Sequence, residues 1–146
     1  MSTSTDTDGS IYNGTGYKNN ARLSSSGGVS GSAQNGSVVT GFMPYSQPGV
    51  VRIKGATWAG ISAGEGHYYI NAYDANKNFK VAMAASDPIA STAATYDSAT
   101  GVTTFDFSAL SDTNTTRRLF SEAAFIRINA KGVGADLIVT VDEEIV

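Results

Sequence analysis

Short apolar runs that alternate with polar residues recur along this chain, and turn-forming residues separate them. The clearest example is the stretch 67–84, in which two apolar runs flank the polar loop 74–78, Asp-Ala-Asn-Lys-Asn. Aromatic and β-branched residues on both sides of an Asx-type loop predict an antiparallel β-hairpin. Successive side chains of a strand point to opposite faces, so Ile70 shares one face with Tyr68 and Ala72. The other face carries Tyr69, Asn71 and Tyr73.

Further runs of the same kind predict a chain made almost entirely of short strands. Gly41 interrupts one run as a candidate bulge, and the loop 98–101 ends in glycine, as a second hairpin requires. Roughly eight to ten strands at intervals of about 8–12 residues are typical of a sandwich or barrel. We therefore predict an all-β fold, an antiparallel β-sandwich. The predicted strands are 9–12, 17–23, 38–45, 50–54, 67–73, 79–84, 93–97, 102–107, 123–130 and 135–142, with the last two forming a third hairpin.

Two arginines lie in the middle of runs that are otherwise apolar. Arg52 lies within Val-Val-Arg-Ile-Lys, and Arg127 lies within Phe-Ile-Arg-Ile-Asn. Because a charged group on the core side would be very costly, we predict that both arginines project from the non-core face. Phe125 and Asn129 are predicted to face outward with Arg127. The predicted core residues are Ile53, Ile70, Phe105, Phe107, Ile126, Ile128, Val139 and Val141.

Polar stretches without apolar periodicity predict the loops and the domain limits. Residues 1–8 are predicted to be a flexible N-terminal tail, followed by one β-sandwich domain at 9–146. Residues 24–37 are almost wholly serine and glycine, which predicts a long, mobile surface loop. Residues 108–118 could hold a helical turn, but their polar centre favours a loop.

Composition narrows the class of protein. The chain has 16 glycines, three prolines and a net charge of −3, and 16% of its residues are charged. That charged share is below the roughly 25% of ordinary domains, so the surface should be rich in hydroxyl, amide and glycine groups, as suits an extracellular or virion surface. The acidic balance provides no basic footprint for nucleic acid. No apolar run is long enough for membrane insertion, and no signal peptide supports classical secretion.

The residues that could carry catalysis are few. His67 is the single histidine, no cysteine is present, and no Gly-x-Ser-x-Gly surrounds a serine, so neither a nucleophile with its base nor a zinc site is predicted. The motif at 6–9, Asp-Thr-Asp-Gly, lacks downstream acidic ligands for calcium and is predicted to be a turn. We predict no enzyme activity, no metal and no cofactor. No glycosidase pair stands out among the acidic candidates Asp74, Asp87, Asp97, Asp106 and Asp136, most of which lie at predicted turns or strand ends.

Aromatic rings that lie on the polar faces of strands or in loops indicate sugar binding more strongly than the residues above indicate catalysis. A flat ring can cover the apolar face of a sugar, while planar polar side chains bind its hydroxyls. Rings on polar strand faces or in loops belong to Trp58, Tyr69, Tyr73, Tyr96 and Phe125. The alternative interpretation is that this face is packed by a loop or by a neighbouring subunit. The candidate ligand-binding residues are Arg52, Trp58, Tyr69, Asn71, Tyr73, Arg127 and Asn129.

Four stretches, at 9–27, 38–55, 68–79 and 125–145, resemble phage and prophage tail-associated modules in their order of strands and turns. These modules are jelly-roll domains of galactose-binding-like or carbohydrate-binding-like type. The resemblance implies a jelly-roll-like sandwich with a structural role in the virion, commonly recognition of the host surface. Calcium occurs in some such jelly rolls, but no clear ligand set for it is present in this sequence.

We therefore predict a bacteriophage virion module that recognises a host-surface glycan through an aromatic and arginine face. The alternative is a purely structural decoration or fibre subunit whose faces pack against other subunits. The expected partners are other virion subunits and host cell-surface polysaccharide, and a homotrimer is the oligomer to test first because trimers are common in fibres. We expect the protein to lie at the surface of the phage particle and to act outside the cell.

Overall fold

The computed structural model of the chain describes residues 4–5, 11–12, 17–19, 22–23, 26–30, 37–46, 49–55, 69–84, 92–131 and 138–145. Short strands dominate these residues. In chain order they are β1 Ser4–Thr5, β2 Ile11–Tyr12, β3 Tyr17–Asn19, β4 Arg22–Leu23, β5 Val29–Ser30, β6 Ser37–Thr40, β7 Met43–Pro44, β8 Val50–Lys54, β9 Tyr69–Tyr73, β10 Phe79–Ala84, β11 Ala94–Asp97, β12 Val102–Asp106, β13 Phe125–Lys131 and β14 Ile138–Val141. A 3-10 helix spans Phe107–Ala109, and an α-helix, α1, spans Thr115–Ser121.

The larger strands form two antiparallel sheets. The six-stranded sheet has the order β10-β9-β13-β6-β3, with β7 also paired to β13, and the four-stranded sheet has the order β11-β12-β8-β14. Two further pairs, β1 with β2 and β4 with β5, are separate two-stranded sheets. The predicted antiparallel β-sandwich is therefore confirmed.

The main core lies between the two large sheets and follows the predicted alternation. In β8, Val51 and Ile53 are fully buried, whereas Val50, Arg52 and Lys54 on the other side are only partly buried. Six of the eight predicted core residues are buried. Val139 and Val141 are half-buried against the core, because β14 is an edge strand.

Two predicted hairpins are confirmed, together with the chemistry of their loops. In the β9–β10 loop, Asp74 Oδ1 accepts the backbone N–H groups of Asn76 at 2.8 Å and Asn78 at 3.0 Å. These hydrogen bonds, first that of Asn78, lower the pKa of the Asp74 carboxyl. In the β11–β12 loop, Gly101 adopts a φ of 72° and its N–H donates to the Asp97 carbonyl at 2.8 Å.

The predicted third hairpin is wrong. β13 lies inside the six-stranded sheet between β9 and β6, whereas β14 pairs with β8 in the four-stranded sheet. The chain therefore crosses from one sheet to the other after β13. Two adjacent strand patterns with a glycine-containing stretch between them look the same in sequence whether they pair or cross.

The expected loop at 108–118 contains helical structure instead. Asn114 caps α1, since its Oδ1 accepts the backbone N–H of Arg117 at 3.0 Å. Phe120 of α1 stacks on Phe107 with ring centroids 4.0 Å apart, and Tyr45 contacts both rings edge-on. The helix thus places Phe120 in the core, and burial raises the pKa of the Tyr45 phenol there.

The N-terminal segments also differ from prediction. The expected strand at 17–23 is two strands with different partners: β3 pairs with β6, while β4 pairs with β5. Residues 29–30 of the predicted surface loop form β5, so this part of the loop is a paired strand. Ser4–Thr5 of the predicted tail pairs with Ile11–Tyr12. Residues 55–66 are predicted to form a loop, and all of them after Gly55 lie outside the described residues.

Candidate functional site

The polar face of the six-stranded sheet is buried, which corrects the prediction that its residues face solvent. Asn71 and Tyr73 on β9 lie in register with Arg127 and Phe125 on β13. Alternation places them opposite the core, as predicted, yet this side is closed to water. We call it the covered face, and its residues are Asn71, Tyr73, Arg127 and Asn129, each at most 2% exposed.

Residues 22–23 and 26–30, here called the cover segment, lie over this face. The backbone N–H of Leu23, a fully buried residue, donates to Asn129 Oδ1 at 3.1 Å. The Tyr73 hydroxyl donates to the carbonyl of Gly27 at 2.8 Å. Gly27 has a φ of 98°, and a Cβ there would lie 2.7 Å from the Cβ of Phe79. The cover segment therefore forms a third layer on the sandwich, held by hydrogen bonds and close packing.

Arg127 is integrated into the covered face by several contacts. Its Nε donates to the Thr40 carbonyl at 3.1 Å, and its guanidinium carbon lies 4.4 Å from the centroid of the Phe42 ring. The Lys77 ammonium lies 5.0 Å from the same centroid and 5.5 Å from that of Phe125. Cation–π attraction to aromatic rings stabilises such charges where water is excluded. In this structure Arg127 is a packing residue.

The outward side of the four-stranded sheet is different, because its residues are half-buried or exposed. Register aligns Thr95 of β11, Thr104 of β12, Arg52 of β8 and Thr140 of β14 in one row across the sheet. Neighbouring strands lie about 4.8 Å apart, so the polar side chains of this row follow one another across the sheet at that spacing. We call this side, defined by these four residues, the open face.

A cleft of about 270 Å³ lies on the open face. This volume is just below the roughly 300 Å³ at which pockets for drug-sized ligands begin, so the cleft suits a ligand about the size of a single sugar ring. Tyr96, a residue that is 53% exposed, is one of the residues around it. The lining residues are Arg52, Thr95, Tyr96, Asp97, Thr100, Val102, Thr104, Glu144 and Ile145.

The C-terminal segment closes one side of this cleft through Arg52. Arg52 Nη2 lies 3.0 Å from Glu144 Oε1, and Nη1 donates to the Glu143 carbonyl at 3.0 Å. Thr140 Oγ1 donates to the same carbonyl at 2.6 Å. Asp142 Oδ1 accepts the N–H of Val50 at 2.8 Å. The segment is therefore anchored up to Glu143, while the Glu144 side chain is 80% exposed.

The predicted ligand-binding residues are thus divided between the two faces. Arg52 lies in the cleft, and four of the others belong to the covered face. Tyr69 begins β9, but its side chain and the whole of Trp58 lie outside the described residues, as does His67. Sequence reasoning missed Thr95, Thr104 and Glu144. Strand alternation in β12 places Thr104 on the side opposite the core residue Phe105, so the sequence could have identified Thr104. Nothing in the local sequence indicates that Glu144 contacts Arg52 of β8.

Three of the acidic candidates have local roles that agree with the prediction for turn aspartates. Besides Asp74, Asp97 Oδ1 accepts the Ala99 N–H at 2.9 Å, and Asp106 Oδ1 accepts the Ser108 N–H at 3.0 Å. Asp87 and Asp136 lie outside the described residues. Within the described ranges, no group of three or more acidic or histidine side chains is arranged to hold a metal ion. Across those same ranges, no helix has the length and apolar character of a membrane span.

Comparison with protein-family models, curated proteins and solved structures gave no match. The β-sandwich is therefore established by the geometry of the chain itself.

Proposed function

We propose that this chain is a jelly-roll-like module of a bacteriophage virion, without enzyme activity, that binds host-surface carbohydrate through its open face. It acts at the particle surface, outside the cell, alongside other virion subunits. The observation that carries the proposal is the cleft around Arg52. It combines a planar cation with threonine hydroxyls in a volume suited to one sugar ring. The resemblance of four stretches of the sequence to tail-associated modules supplies the biological setting.

Glycan-array binding with matched variants tests this proposal. Arg52→Ala should abolish glycan binding, because it removes the cation at the cleft wall. Lys54→Ala is the control, since Lys54 lies on the same side of the same strand but does not line the cleft. Equal loss of binding in both variants, or the absence of any bound glycan, would contradict the proposal.

A purely structural role in the virion is the second candidate, and one observation favours it. The large apolar residues that are exposed in the described part of the chain are Phe79, Tyr96 and Ile138. They lie on β10, β11 and β14, and each of these strands is at the edge of a sheet. Edges that carry exposed apolar side chains are ready surfaces for subunit contact.

Light scattering coupled to size exclusion separates the two candidates. A structural subunit should form a defined oligomer, with a trimer as the first expectation, and Ile138→Lys should reduce its mass. The matched change Lys54→Glu lies on the partner strand directly opposite Ile138 and should leave the mass unchanged. A monomer that still binds glycan would favour the recognition role alone.

A further inference from the structure

The ion pair between Arg52 and Glu144 indicates which ligand chemistry the cleft selects. Glu144 belongs to the C-terminal segment, and its carboxylate oxygen Oε1 lies 3.0 Å from Arg52 Nη2. A guanidinium binds carboxylates through directional, charge-assisted hydrogen bonds. The cleft already contains one carboxylate bound to its arginine, supplied by the chain itself.

We infer that the cleft binds a carboxylated sugar, such as a uronic acid, whose carboxylate replaces that of Glu144 on Arg52. This inference rests on the proposed glycan-binding function and specifies its ligand. The Glu144 side chain acts as an internal stand-in for the ligand's acid group. Its high exposure, 80%, lets it leave the guanidinium for solvent at little cost.

Displacement of Glu144 requires the movement of one side chain and leaves the backbone in place. The segment is fixed by the bonds of Asp142 with Val50 and by the two hydrogen bonds to the Glu143 carbonyl. Arg52 Nη1 therefore stays anchored to that carbonyl while Nη2 exchanges partners. The guanidinium is oriented before any ligand arrives.

The rest of the cleft complements a sugar ring. Thr104 lies directly opposite Arg52, and Thr95 lies directly opposite Thr104, so two hydroxyls extend in line from the cation. Hydroxyls both donate and accept hydrogen bonds, as the hydroxyls of a sugar require. Asp97 is the other carboxylate in the cleft wall, and its Oδ1 is held by the Ala99 N–H at 2.9 Å within the turn. Loss of Glu144 from the cleft therefore leaves one arginine and one aspartate, with no net charge.

NMR titration of the full chain with three small probes tests the inference. Methyl glucuronide carries the sugar and the acid, methyl glucoside carries the sugar alone, and propionate carries the acid alone. Methyl glucuronide should bind most tightly and shift the resonances of Arg52 and Thr104. Glu144→Gln should tighten glucuronide binding about two- to fivefold, because an exposed ion pair competes only weakly. Arg52→Ala should abolish the binding of glucuronide, because it removes the cation that holds the ligand's carboxylate.

Glu122→Gln is the matched control, because Glu122 forms a comparable ion pair with Lys80 at 3.4 Å, away from the cleft. It should leave all three affinities unchanged. Equal binding of glucuronide and glucoside in every variant would overturn the inference and leave the glycan-binding proposal standing. Equal binding of glucuronide and propionate, with glucoside inert, would overturn the glycan-binding proposal and leave a carboxylate site. No resonance shift with any probe would overturn both.

Discussion

Two arginines in nearly the same local sequence have opposite environments in this sandwich. Arg52 lies between Val51 and Ile53. Its side chain is 18% exposed and forms an ion pair with the exposed side chain of Glu144. Arg127 lies between two isoleucines in the other sheet and is 1% exposed, on the covered face. Alternation correctly placed both on the side away from the core. It could not reveal that one of these sides has a third layer.

The comparison shows that the non-core side of a strand is a different property from the solvent side. The covered face is closed by contacts between residues far apart in sequence, such as Leu23 with Asn129, 106 positions away. Among the described residues, the contacts of Arg52 on the open face are with the C-terminal segment, through the Glu143 carbonyl and the Glu144 carboxylate. We therefore propose the open face as the site of ligand recognition, and we expect the covered face to contribute to stability.

The largest expected difference between the two faces is in the response to arginine truncation. Arg127→Ala should lower the free energy of unfolding by about 2–5 kcal/mol, because it leaves a cavity and takes the Nε donor away from the Thr40 carbonyl. Arg52→Ala should cost less than about 1 kcal/mol, the range of exposed ion pairs. Chemical denaturation of both variants gives the comparison. Similar losses in the two variants would mean that the faces are not distinct.

The next largest effect is expected at the close approach of the cover segment to the sheet. Gly27→Ala should destabilise the protein by about 1–3 kcal/mol more than Gly101→Ala, because the added Cβ collides with Phe79. Both glycines have positive φ, but a Cβ at Gly101 meets nothing within 4 Å. The difference between the two melting curves therefore isolates the packing of the cover segment. Equal destabilisation would show that residue 27 is not packed against the sheet.

A smaller effect is expected from the hydrogen bond that ties the cover segment to β13. Asn129→Ala should cost about 1–2 kcal/mol, because it leaves the buried Leu23 N–H without its side-chain acceptor. Asn76→Ala is the control, since Asn76 is exposed and donates to Asp74 through its backbone. Urea denaturation should separate the two variants. Indistinguishable midpoints would argue against the bond.

The smallest effect is expected at Asp74, which belongs to neither face. Its pKa is lowered in the folded state, mainly by the Asn78 N–H, so its stabilising contribution is present above the ordinary carboxyl range and is lost as pH falls through the lowered pKa. Asp74→Asn should weaken the acid dependence of stability below about pH 4. The variant should leave the cover segment in place. An unchanged acid profile would mean that the loop hydrogen bonds do not depend on the charge.

Features set by neighbouring residues were the ones that sequence could predict. The Asp74 loop, the Gly101 turn and the burial of Val51 and Ile53 depend on contacts within a hairpin or on strand alternation. The helix α1 was missed because its polar residues outweighed Phe120, although Asn114 is a good capping residue. It anchors Phe120 in the core from a segment with little apolar periodicity.

Features set by distant partners could not be predicted in the same way. The separation of β13 and β14 into different sheets depends on which strands they meet, β9 and β6 for one and β8 for the other. The candidate site shows the same limit. Arg52 was identified as an outward cation, but the threonine row and Glu144 become its neighbours only through pairing of β11, β12, β8 and β14.

Amide hydrogen exchange at Leu23 is the most direct test of the central claim, that the cover segment closes the polar face of the six-stranded sheet. The Leu23 N–H donates to Asn129 Oδ1 in a fully buried position, so it should exchange as slowly as the amides of the central strands. Asn129→Ala should accelerate that exchange while leaving the amide of Ile53 in the four-stranded sheet protected. Exchange of the Leu23 amide at the rate of an unstructured peptide would contradict the claim.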